Sequence, residues 1–414
     1  MGESVAIFGS GLSGSAAEKL ARALGHRVTC FDQAEGSTHR DFGPAELEAH
    51  DRFVFSPGFA AEHPWRRAAE VSGKRVQSEL GFAAEQWTGQ LIGVTGTNGK
   101  TSLTHLMAKA LQCAGEQAEV AGNIGRPLSD LLLRGNHPRP SIAVCEISSF
   151  QAELIDGVGL DALLWTNFAE DHLDRYEGMA EYFRAKANLL NCLKPGAIAV
   201  LGESVAPWFK QFDRSTEGLT VAGNELPRAY VLSPESIFTT YPQSENFLLA
   251  SAYWQQSGRS AEGLVEAANR FRPVPHRLDV VGERLGVTYW NDSKSTNFHA
   301  ALAATRAVPR PIVWIGGGRM KGGDLEKFSG QLAKQIDSAV LYGEAGWPLK
   351  VALEGKIGKL HFEEQFSNAV RRASLEASGL APSNVLLSPA FSSLDQFSSY
   401  EERGKTFISI VLSL

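Results

Sequence analysis

Short apolar runs and helix-like patterns alternate along this sequence from one end to the other. Runs with the length and apolar content of buried strands cover residues 5–8, 27–31, 53–55, 90–94, 141–147, 162–167, 196–201, 287–290, 312–315, 339–342 and 385–387. Patterns with one apolar helical face cover residues 13–24, 102–114, 243–254 and 298–307. This alternation predicts α/β domains with loops at the strand ends.

The length of 414 residues suits two to three domains of ordinary size. We predict three: a Rossmann-like domain over 1–88, a central ATPase domain with a phosphate loop over 89–274, and a second Rossmann-like domain over 275–414. The Pro-Val-Pro run at 273–275 is typical of a stiff linker and places the last boundary.

Composition excludes several classes of protein. No apolar run approaches the roughly 20 residues of a membrane span, so we expect no membrane insertion. The start of the chain lacks the features of a signal peptide, and a net charge of −6 argues against a nucleic-acid partner. The four cysteines are far apart in apolar runs and are predicted to be buried thiols. A cytoplasmic location is therefore expected.

The most informative stretch is Gly-Val-Thr-Gly-Thr-Asn-Gly-Lys-Thr at 93–101, between a strand and a helix. In that context backbone N–H groups and the helix N-terminus face phosphates, and Lys100 adds a positive charge. The Thr101 hydroxyl is the expected magnesium ligand. Val94 stands where the usual pattern has glycine, so this is a variant loop. The alternative is a glycine-rich turn that carries a surface lysine.

A second glycine pattern follows the first strand. Gly9, Gly11 and Gly14 open a helix, and Asp32 ends the next strand, which together match a dinucleotide-binding fingerprint. The same turn can hold NAD, another nucleotide, or no ligand. Gly58 ends a further strand at the edge where α/β sheets bind ligands.

Charged residues at strand ends in the middle of the chain add candidate metal ligands. Glu146 ends a core strand beside the phosphate loop and offers the hard oxygen that magnesium prefers, although a salt-bridged strand end has the same pattern. The cluster at 170–176 includes His172 and is equally compatible with a solvated loop. Lys186 has the features of a solvated helix lysine without a role.

Taken together these motifs resemble the Mur ligases. The resemblance runs the length of the chain through GVTGTNGKTS, GNIG, CEISSFQ, TNFAEDHLDRY, PHRLDVV, NDSKSTN and LLSPAFSSLDQF, in that order. The complete set of residues on the UDP side and the SPAFSSLDQF ending favour the branch of the family that adds D-glutamate to UDP-N-acetylmuramoyl-L-alanine. The resemblance implies that the first domain holds the UDP of the substrate and that ATP drives amide formation through an acyl phosphate.

The resemblance also implies roles for individual residues. The residues implied to bind ATP are Gly96, Thr97, Asn98, Gly99, Lys100, Thr101, Asn246, His276, Arg277, Asp292 and Lys294. Two magnesium sites are implied, with ligands among Thr101, Glu146, His172 and Lys186, where Lys186 would be carbamylated. Lys100, His172 and Lys186 are the implied catalytic residues.

Further residues are implied to bind the substrates. Those implied to contact the UDP-linked substrate are Leu12, Ser13, Asp32, Gly58 and Asn123. Those implied to hold the incoming glutamate are Thr296, Lys321, Ser393 and Tyr400. The loop at 318–321 lacks the aspartate common in the family, and Tyr400 stands where phenylalanine is common. These departures leave L-glutamate open as the alternative amino acid.

Other hypotheses remain beside this one. An NAD-linked oxidoreductase would use the turn at 9–14 but leaves the phosphate loop unexplained. A non-catalytic nucleotide-binding scaffold would not need Lys100, Glu146, His172 and Lys186. A sister ligase, such as one that adds glutamate to folates, shares the chemistry but differs in substrate. A monomer is expected for the ligase that the resemblance implies.

Overall fold

The computed structural model describes residues 2–34, 37–133 and 141–414, which form three β-sheets with flanking helices. The chain divides into two compact units. The first comprises residues 1–168, 180–239 and 244–271 and contains two of the sheets. The second comprises residues 169–179, 240–243 and 272–414 and contains the third. The predicted α/β class is confirmed.

The first sheet is parallel and has the strand order β2-β1-β3-β4. Its strands are β1 Ser4–Phe8, β2 Arg27–Phe31, β3 Arg52–Phe55 and β4 Arg75–Ser78. The helices of this region are α1 Leu12–Ala23, α2 Pro44–Ala49, α3 Pro64–Val71 and α4 Glu79–Ala84. Strands β2 and β3 lie on opposite sides of β1, so the strand order reverses there. In open α/β sheets such a reversal leaves a ligand crevice at the carboxyl ends of the strands.

The second sheet is parallel, with the order β10-β9-β8-β5-β7-β6. Its strands are β5 Gln90–Thr95, β6 Ala118–Gly122, β7 Ile142–Glu146, β8 Leu160–Trp165, β9 Leu193–Leu201 and β10 Thr220–Val221. Its helices are α5 Lys100–Cys113, α6 Leu128–Leu132, α7 Ser149–Ala152, α8 Met179–Ala187, α9 Ala206–Gln211, α10 Gln243–Gln256 and α11 Ala261–Asn269. Short 3-10 helices cover Asn188–Cys192 and Ile237–Thr239.

Glycines set both ends of helix α5. It begins at Lys100, two residues before the predicted start at Ser102, because Gly99 adopts a left-handed φ of +81° immediately before it. Gly115 has a φ of +86° and follows the C-cap residue Ala114, as predicted for a helix C-cap glycine. The early start places the backbone and side chain of Lys100 in the first turn, at the positive end of the helix.

The third sheet has the order β11-β12-β16-β13-β14-β15, and its edge strand β11 is antiparallel to β12. Its strands are β11 Asp279–Arg284, β12 Val287–Asn291, β13 Ile312–Gly317, β14 Ser338–Tyr342, β15 Leu360–Glu363 and β16 Ser383–Ala390. Its helices are α12 Phe298–Ala307, α13 Leu325–Leu332, α14 Gly346–Leu353, α15 Phe366–Ser378 and α16 Tyr400–Ser413. The strands β4, β6, β10, β11 and β15 were not predicted.

Apolar side chains cover both faces of the second sheet. Ile92 and Val94 of β5 point into a core with α5, α10 and α11, while Leu91 joins a core on the opposite face. That opposite core also includes Val5 and Ile7 of the first sheet. The first and second sheets therefore share a core, and the predicted boundary at 88 falls inside the first unit, where it stays a prediction.

The cysteines are all free, but only Cys145 is buried; Cys30, Cys113 and Cys192 are half-buried, which corrects the prediction of four buried thiols. Within the described ranges, no helix combines the length and apolar character that crossing a membrane requires.

Candidate active site

The phosphate loop packs closely against two neighbouring segments. Gly96 has a φ of +138°, and a Cβ placed there would lie 1.9 Å from the Thr166 hydroxyl oxygen. A Cβ at Gly99 would lie 2.7 Å from the Asn246 side-chain oxygen. Both positions therefore need glycine for backbone conformation and for space.

Residues just beyond strand β8 hold this loop by its backbone. The Asn167 side-chain oxygen accepts from the Asn98 N–H at 2.8 Å, and its amide donates to the Asn98 carbonyl at 3.1 Å. The Thr166 hydroxyl donates to the same carbonyl at 2.6 Å, and the Thr97 N–H donates to the Asn167 carbonyl at 3.0 Å. Two N–H groups expected to face phosphate, those of Thr97 and Asn98, are thus used within the protein.

The charged and hydroxyl groups of the loop lie at its base. The Lys100 ammonium donates to the Gly96 and Thr97 carbonyls at 3.0 and 2.8 Å. The Thr101 hydroxyl donates to Glu146 at 2.8 Å, and Asn123 donates to the other Glu146 oxygen at 2.9 Å. Glu146 and Thr101 are both buried. The structure therefore brings together the phosphate loop, the strand-end carboxylate and the Asn123 turn.

This group fits a magnesium ion. Thr101 and Glu146 supply hard oxygen ligands side by side, and magnesium usually combines one or two such protein ligands with water and phosphate oxygens. Among residues 2–34, 37–133 and 141–414, no three His, Cys, Asp or Glu side chains gather as a metal site by themselves. A nucleotide phosphate would therefore complete the coordination.

Lys186 is a buried residue, which corrects the interpretation of a solvated helix lysine. Its side chain is 1% exposed, lies 4.8 Å from the centre of the Tyr182 ring, and donates to the Gly96 carbonyl at 2.8 Å. Helix α8 turns this position inward because Tyr182, Phe183 and Ala185 pack beside it. Burying a lysine beside this loop is costly unless its ammonium has partners, and here the Gly96 carbonyl and the Tyr182 ring provide them.

Asn246 lies on helix α10 and is buried against the phosphate loop. Its amide is 3.5 Å from the Gly99 carbonyl. The structure thus places the residue implied to contact adenine directly beside the loop.

In the first sheet, the sequence-predicted UDP residues gather at the carboxyl ends of β1, β2 and β3. Asp32 accepts from the N–H and hydroxyl of Ser10, both at 2.6 Å, and from the Ala34 N–H at 2.9 Å. These bonds, that of the Ser10 hydroxyl above all, lower the pKa of Asp32. Asp32 is therefore an ionised acceptor at this edge at neutral pH.

Three further predicted residues lie at the same edge of the sheet. Leu12 begins helix α1 and is 83% exposed, Ser13 follows it, and the exposed Gly58 follows strand β3. The exposed Leu12 side chain offers an apolar surface, and the ionised Asp32 carboxylate offers a hydrogen-bond acceptor. A nucleotide base and its ribose need both.

In the second unit, His276, Arg277 and Asp292 lie around the end of strand β12. Burial raises the pKa of Asp292 to about 7, while a hydrogen bond from Ser388 at 2.8 Å and the charge of Arg277 oppose the rise. His276 is buried, with a pKa lowered by burial, and its Nδ1 accepts from the Asn291 amide at 3.0 Å. His276 is therefore a neutral imidazole at neutral pH.

Lys294 and Tyr400 form a pair in this unit. The Lys294 ammonium donates to the Tyr400 hydroxyl at 2.9 Å and lies 4.4 Å from the centre of its ring. Tyr400 begins helix α16, and Ser393 is buried in the preceding loop. The hydroxyl that distinguishes this tyrosine from phenylalanine thus has a specific partner.

A pocket in the second unit unites residues from several loops. Thr296, Lys321, Asp171 and Phe391 contribute to its lining. Asp171 accepts from the Asn297 amide at 2.9 Å and from the His172 N–H at 2.9 Å, and Lys321 lies 3.9 Å from it. The cluster that includes His172 is therefore built into the pocket wall.

Sequence reasoning missed three residues that organise these sites: Asn167, Asn297 and Arg403. The first two lie inside the motifs TNFAEDHLDRY and NDSKSTN, so their place in the motifs was a usable signal. Arg403 is on helix α16, outside the motifs, and nothing in its pattern distinguishes it from a surface arginine.

Comparisons with known proteins match the chain over nearly its whole length. Residues 94–224 match the Mur ligase middle domain, and residues 276–391 match the Mur ligase glutamate ligase domain. The UDP-N-acetylmuramoylalanine–D-glutamate ligase of Gloeobacter violaceus is 34% identical, and the alignment covers 99% of each chain. The chain belongs to the Mur ligase family. A relative of the same name from Desulfitobacterium hafniense is 35% identical over 98% of this chain and 97% of its own.

Solved structures of Mur ligases share the fold. The MurF ligase of Thermotoga maritima, solved with ADP, superposes with a TM-score of 0.62 at 14% identity, and the match covers 100% of this chain and 96% of that one. The MurC ligase of the same organism gives a TM-score of 0.60 at 16% identity and covers 99% of both chains. Mur ligases have three domains, so the predicted three-domain α/β architecture is confirmed at the level of the family.

Proposed function

We propose that this chain is an ATP-dependent ligase that adds D-glutamate to UDP-N-acetylmuramoyl-L-alanine during peptidoglycan precursor synthesis. The observation that carries the proposal is the buried Thr101–Glu146 contact, 2.8 Å long, beneath a phosphate loop in a chain that aligns from end to end with D-glutamate ligases. The same relatives support the choice of D-glutamate over L-glutamate. The substrates and ATP are cytoplasmic metabolites, so a cytoplasmic enzyme is proposed, as a monomer.

The reaction has two bond-forming steps. The substrate carboxylate attacks the γ-phosphorus of ATP, an O–P bond forms, and ADP leaves. The amine of glutamate then attacks the acyl carbon, a C–N bond forms, phosphate leaves, and the amine proton passes to solvent. The first step joins two anions, so the positive charge of Lys100 and the N–H groups at the start of α5 are proposed to offset their repulsion.

Magnesium is proposed to bind at Thr101 and Glu146, with a second site at His172. When bound, it would polarise phosphate oxygens and neutralise charge as it develops. Asn123 donates to Glu146 and so keeps that carboxylate oriented toward Thr101.

Lys186 is proposed to act as its carbamate. Burial favours the neutral amine over the ammonium ion, and the neutral amine adds to carbon dioxide with loss of one proton. The product is an anion with hard oxygens, which suits a metal beside the loop carbonyl of Gly96.

The remaining roles follow the family pattern. Asn246, His276, Arg277, Asp292 and Lys294 are proposed to bind ATP. The UDP substrate is proposed to bind at Leu12, Ser13, Asp32, Gly58 and Asn123, and the amino acid at Thr296, Lys321, Ser393 and Tyr400.

The decisive experiment measures ADP release from ATP and UDP-N-acetylmuramoyl-L-alanine with D-glutamate, L-glutamate or no amino acid. We expect release that depends on D-glutamate, and a variant Lys100→Ala without activity but with an unchanged thermal melt. Equal or faster turnover with L-glutamate would favour the sister ligase. No turnover with either amino acid would contradict the proposal.

A further inference from the structure

Arg403 is a fully buried arginine on helix α16 of the second unit. Arginine keeps its charge in proteins, so burying it is costly unless the guanidinium donors are used. Its Nε donates to the Ser293 hydroxyl at 3.0 Å and one Nη to the Ser293 carbonyl at 2.8 Å. The other Nη donates to the Tyr342 hydroxyl at 3.1 Å and the Phe391 carbonyl at 3.2 Å.

These acceptors lie on separate segments of the chain. Ser293 is between Asp292 and Lys294 in the segment 292–296, and Phe391 begins the segment 391–400. Tyr342 ends strand β14, which pairs with β13 and β15 and is fully buried, so it provides a fixed anchor. We name 292–296 and 391–400 the two substrate segments, because they carry Thr296, Ser393 and Tyr400.

A second set of contacts joins the two substrate segments near Arg403. The Ser293 hydroxyl donates to the Tyr400 carbonyl at 2.9 Å, and Lys294 donates to the Tyr400 hydroxyl. The Ala390 N–H donates to the Ser295 carbonyl at 3.1 Å. The segments are therefore held together by the Arg403 guanidinium and by direct bonds from Ser293 and Lys294 to Tyr400, with a further bond from Ala390 just before the second segment.

We propose that Arg403 is a positioning residue that fixes the two substrate segments in the geometry needed to bind the amino-acid substrate. This rests on the proposed function for the identity of that substrate. Lysine at this position keeps the charge but cannot span acceptors on separate segments, because its ammonium is a single point and lacks the planar fork of arginine.

The test compares KM values in the full-length enzyme. Arg403→Lys should raise the KM for D-glutamate by about tenfold or more, since it loses charge-assisted hydrogen bonds to several acceptors. The KM for UDP-N-acetylmuramoyl-L-alanine should not change. Tyr342→Phe removes one acceptor and should raise the KM for D-glutamate by about threefold, which keeps the test available if the lysine variant fails to fold.

Thr305→Val is the matched control for lost stability. Thr305 is buried in the same unit and its hydroxyl donates to Gln335 at 2.6 Å, away from both substrate segments. This variant should melt at a lower temperature with an unchanged KM for D-glutamate. A KM for D-glutamate that is unchanged in both Arg403→Lys and Tyr342→Phe would overturn the proposal, and so would an equal rise of both substrate KM values.

Hydrogen exchange separates this proposal from the proposed function. In Arg403→Lys the amides of the two substrate segments should exchange faster, while those of helix α13, Leu325–Leu332, should not change. An enzyme without D-glutamate turnover would contradict the proposed function, yet the exchange result would still decide whether Arg403 holds the segments. Unchanged exchange in both segments would refute the positioning role.

Discussion

At the scale of single residues, the site depends on amide and guanidinium groups that bond to backbone rather than to substrate. Asn167 pairs with both the N–H and the carbonyl of Asn98, as a neighbouring strand would. Arg403 donates to the Ser293 and Phe391 carbonyls, which lie on two segments of the second unit. Such groups fix loops in place before a ligand arrives, which lowers the entropy cost of binding.

Asn167→Asp should weaken nucleotide binding. Aspartate keeps the oxygen that accepts from the Asn98 N–H. Its second oxygen, however, replaces the Asn167 amide nitrogen that donates to the Asn98 carbonyl at 3.1 Å. The loss of a buried hydrogen bond and the new repulsion should lower ADP affinity by about tenfold. Calorimetric titration with Mg-ADP measures this. Asn188→Asp, which changes a similar amide–carbonyl bond to Ala152, should bind ADP normally; equal loss in both variants would argue against a role specific to the loop.

Lys186→Ala should lose activity by about 100-fold or more, because the carbamate oxygens would be absent from the metal environment. Short-chain carboxylic acids should restore part of the activity by entering the vacated space, and Lys186→Glu should regain some through its own carboxylate. Initial rates with and without added acetate provide the measurement. Full activity of Lys186→Ala without added acid would mean that no carbamate is needed.

The burial of Lys186 shows why some residue roles are not visible in a sequence. The positions of Lys100, Thr101 and Glu146 could be predicted, because each follows a strand or opens a helix within a local pattern. Lys186 and Arg403 are on helices whose inward faces depend on distant segments: the Gly96 carbonyl for one and Ser293 for the other. Those contacts span 90 and 110 positions along the chain, which no local periodicity reports.

At the scale of elements, the strands and helices with a clear apolar pattern could be predicted, but the order of the strands within each sheet could not. Helix α12 spans Phe298–Ala307 as predicted, because Asn297 caps it and its apolar face is regular. The insertion of β16 between β12 and β13, and the antiparallel edge strand β11, depend on pairing between distant residues. Strand β11 is only partly buried and lacks a continuous apolar run, and it was missed along with the short or partly exposed strands β4, β6, β10 and β15.

Contact between helices α4 and α6 gives a prediction about pH and stability. Glu79 begins α4, is buried, and accepts from the Ser129 N–H of α6 at 2.8 Å. Burial raises its pKa from 4.5 to about 7. Because the folded value is the higher one, the stabilisation is present below about pH 4.5 and is lost as pH rises through 7. Ionisation should then cost up to about 3 kcal/mol.

Glu79→Gln should remove this dependence. The amide keeps an oxygen for the Ser129 N–H but does not ionise, so the variant should gain stability relative to the parent as pH rises from 5 to 8. Denaturant unfolding of the first unit at pH 5 and pH 8 measures the difference. Asp292, whose pKa is also raised by burial, is present in both proteins and contributes equally to both. The exposed Glu48→Gln should leave the pH dependence unchanged. If the free energy of unfolding changed with pH by the same amount in Glu79→Gln and in its parent, Glu79 would not titrate in this range.

At the scale of the whole molecule, two nucleotide-like sites occur in one unit with different chemistry. The second sheet presents a lysine, a hydroxyl and the start of a 14-residue helix, which suit a triphosphate. The first sheet presents Asp32 and the exposed Leu12, with Ser10 already bonded to the carboxylate. A carboxylate at a strand end accepts from ribose hydroxyls, so the first site suits a nucleoside but does not by itself distinguish UDP from NAD.

The full-length protein should bind UDP-N-acetylmuramoyl-L-alanine and UDP but not NAD. The Ser10–Asp32 contact holds the carboxylate at the sheet edge, where one nucleoside can bind, and the family to which the chain belongs provides the preference for uridine. Calorimetric titration with UDP and with NAD, in the presence of excess Mg-ADP to fill the phosphate loop, isolates the first site. Asp32→Asn should weaken UDP binding by about tenfold through the loss of a charged acceptor, with ADP affinity unchanged. NAD binding as tight as that of UDP, and equally sensitive to Asp32→Asn, would instead support the oxidoreductase hypothesis for the turn at 9–14.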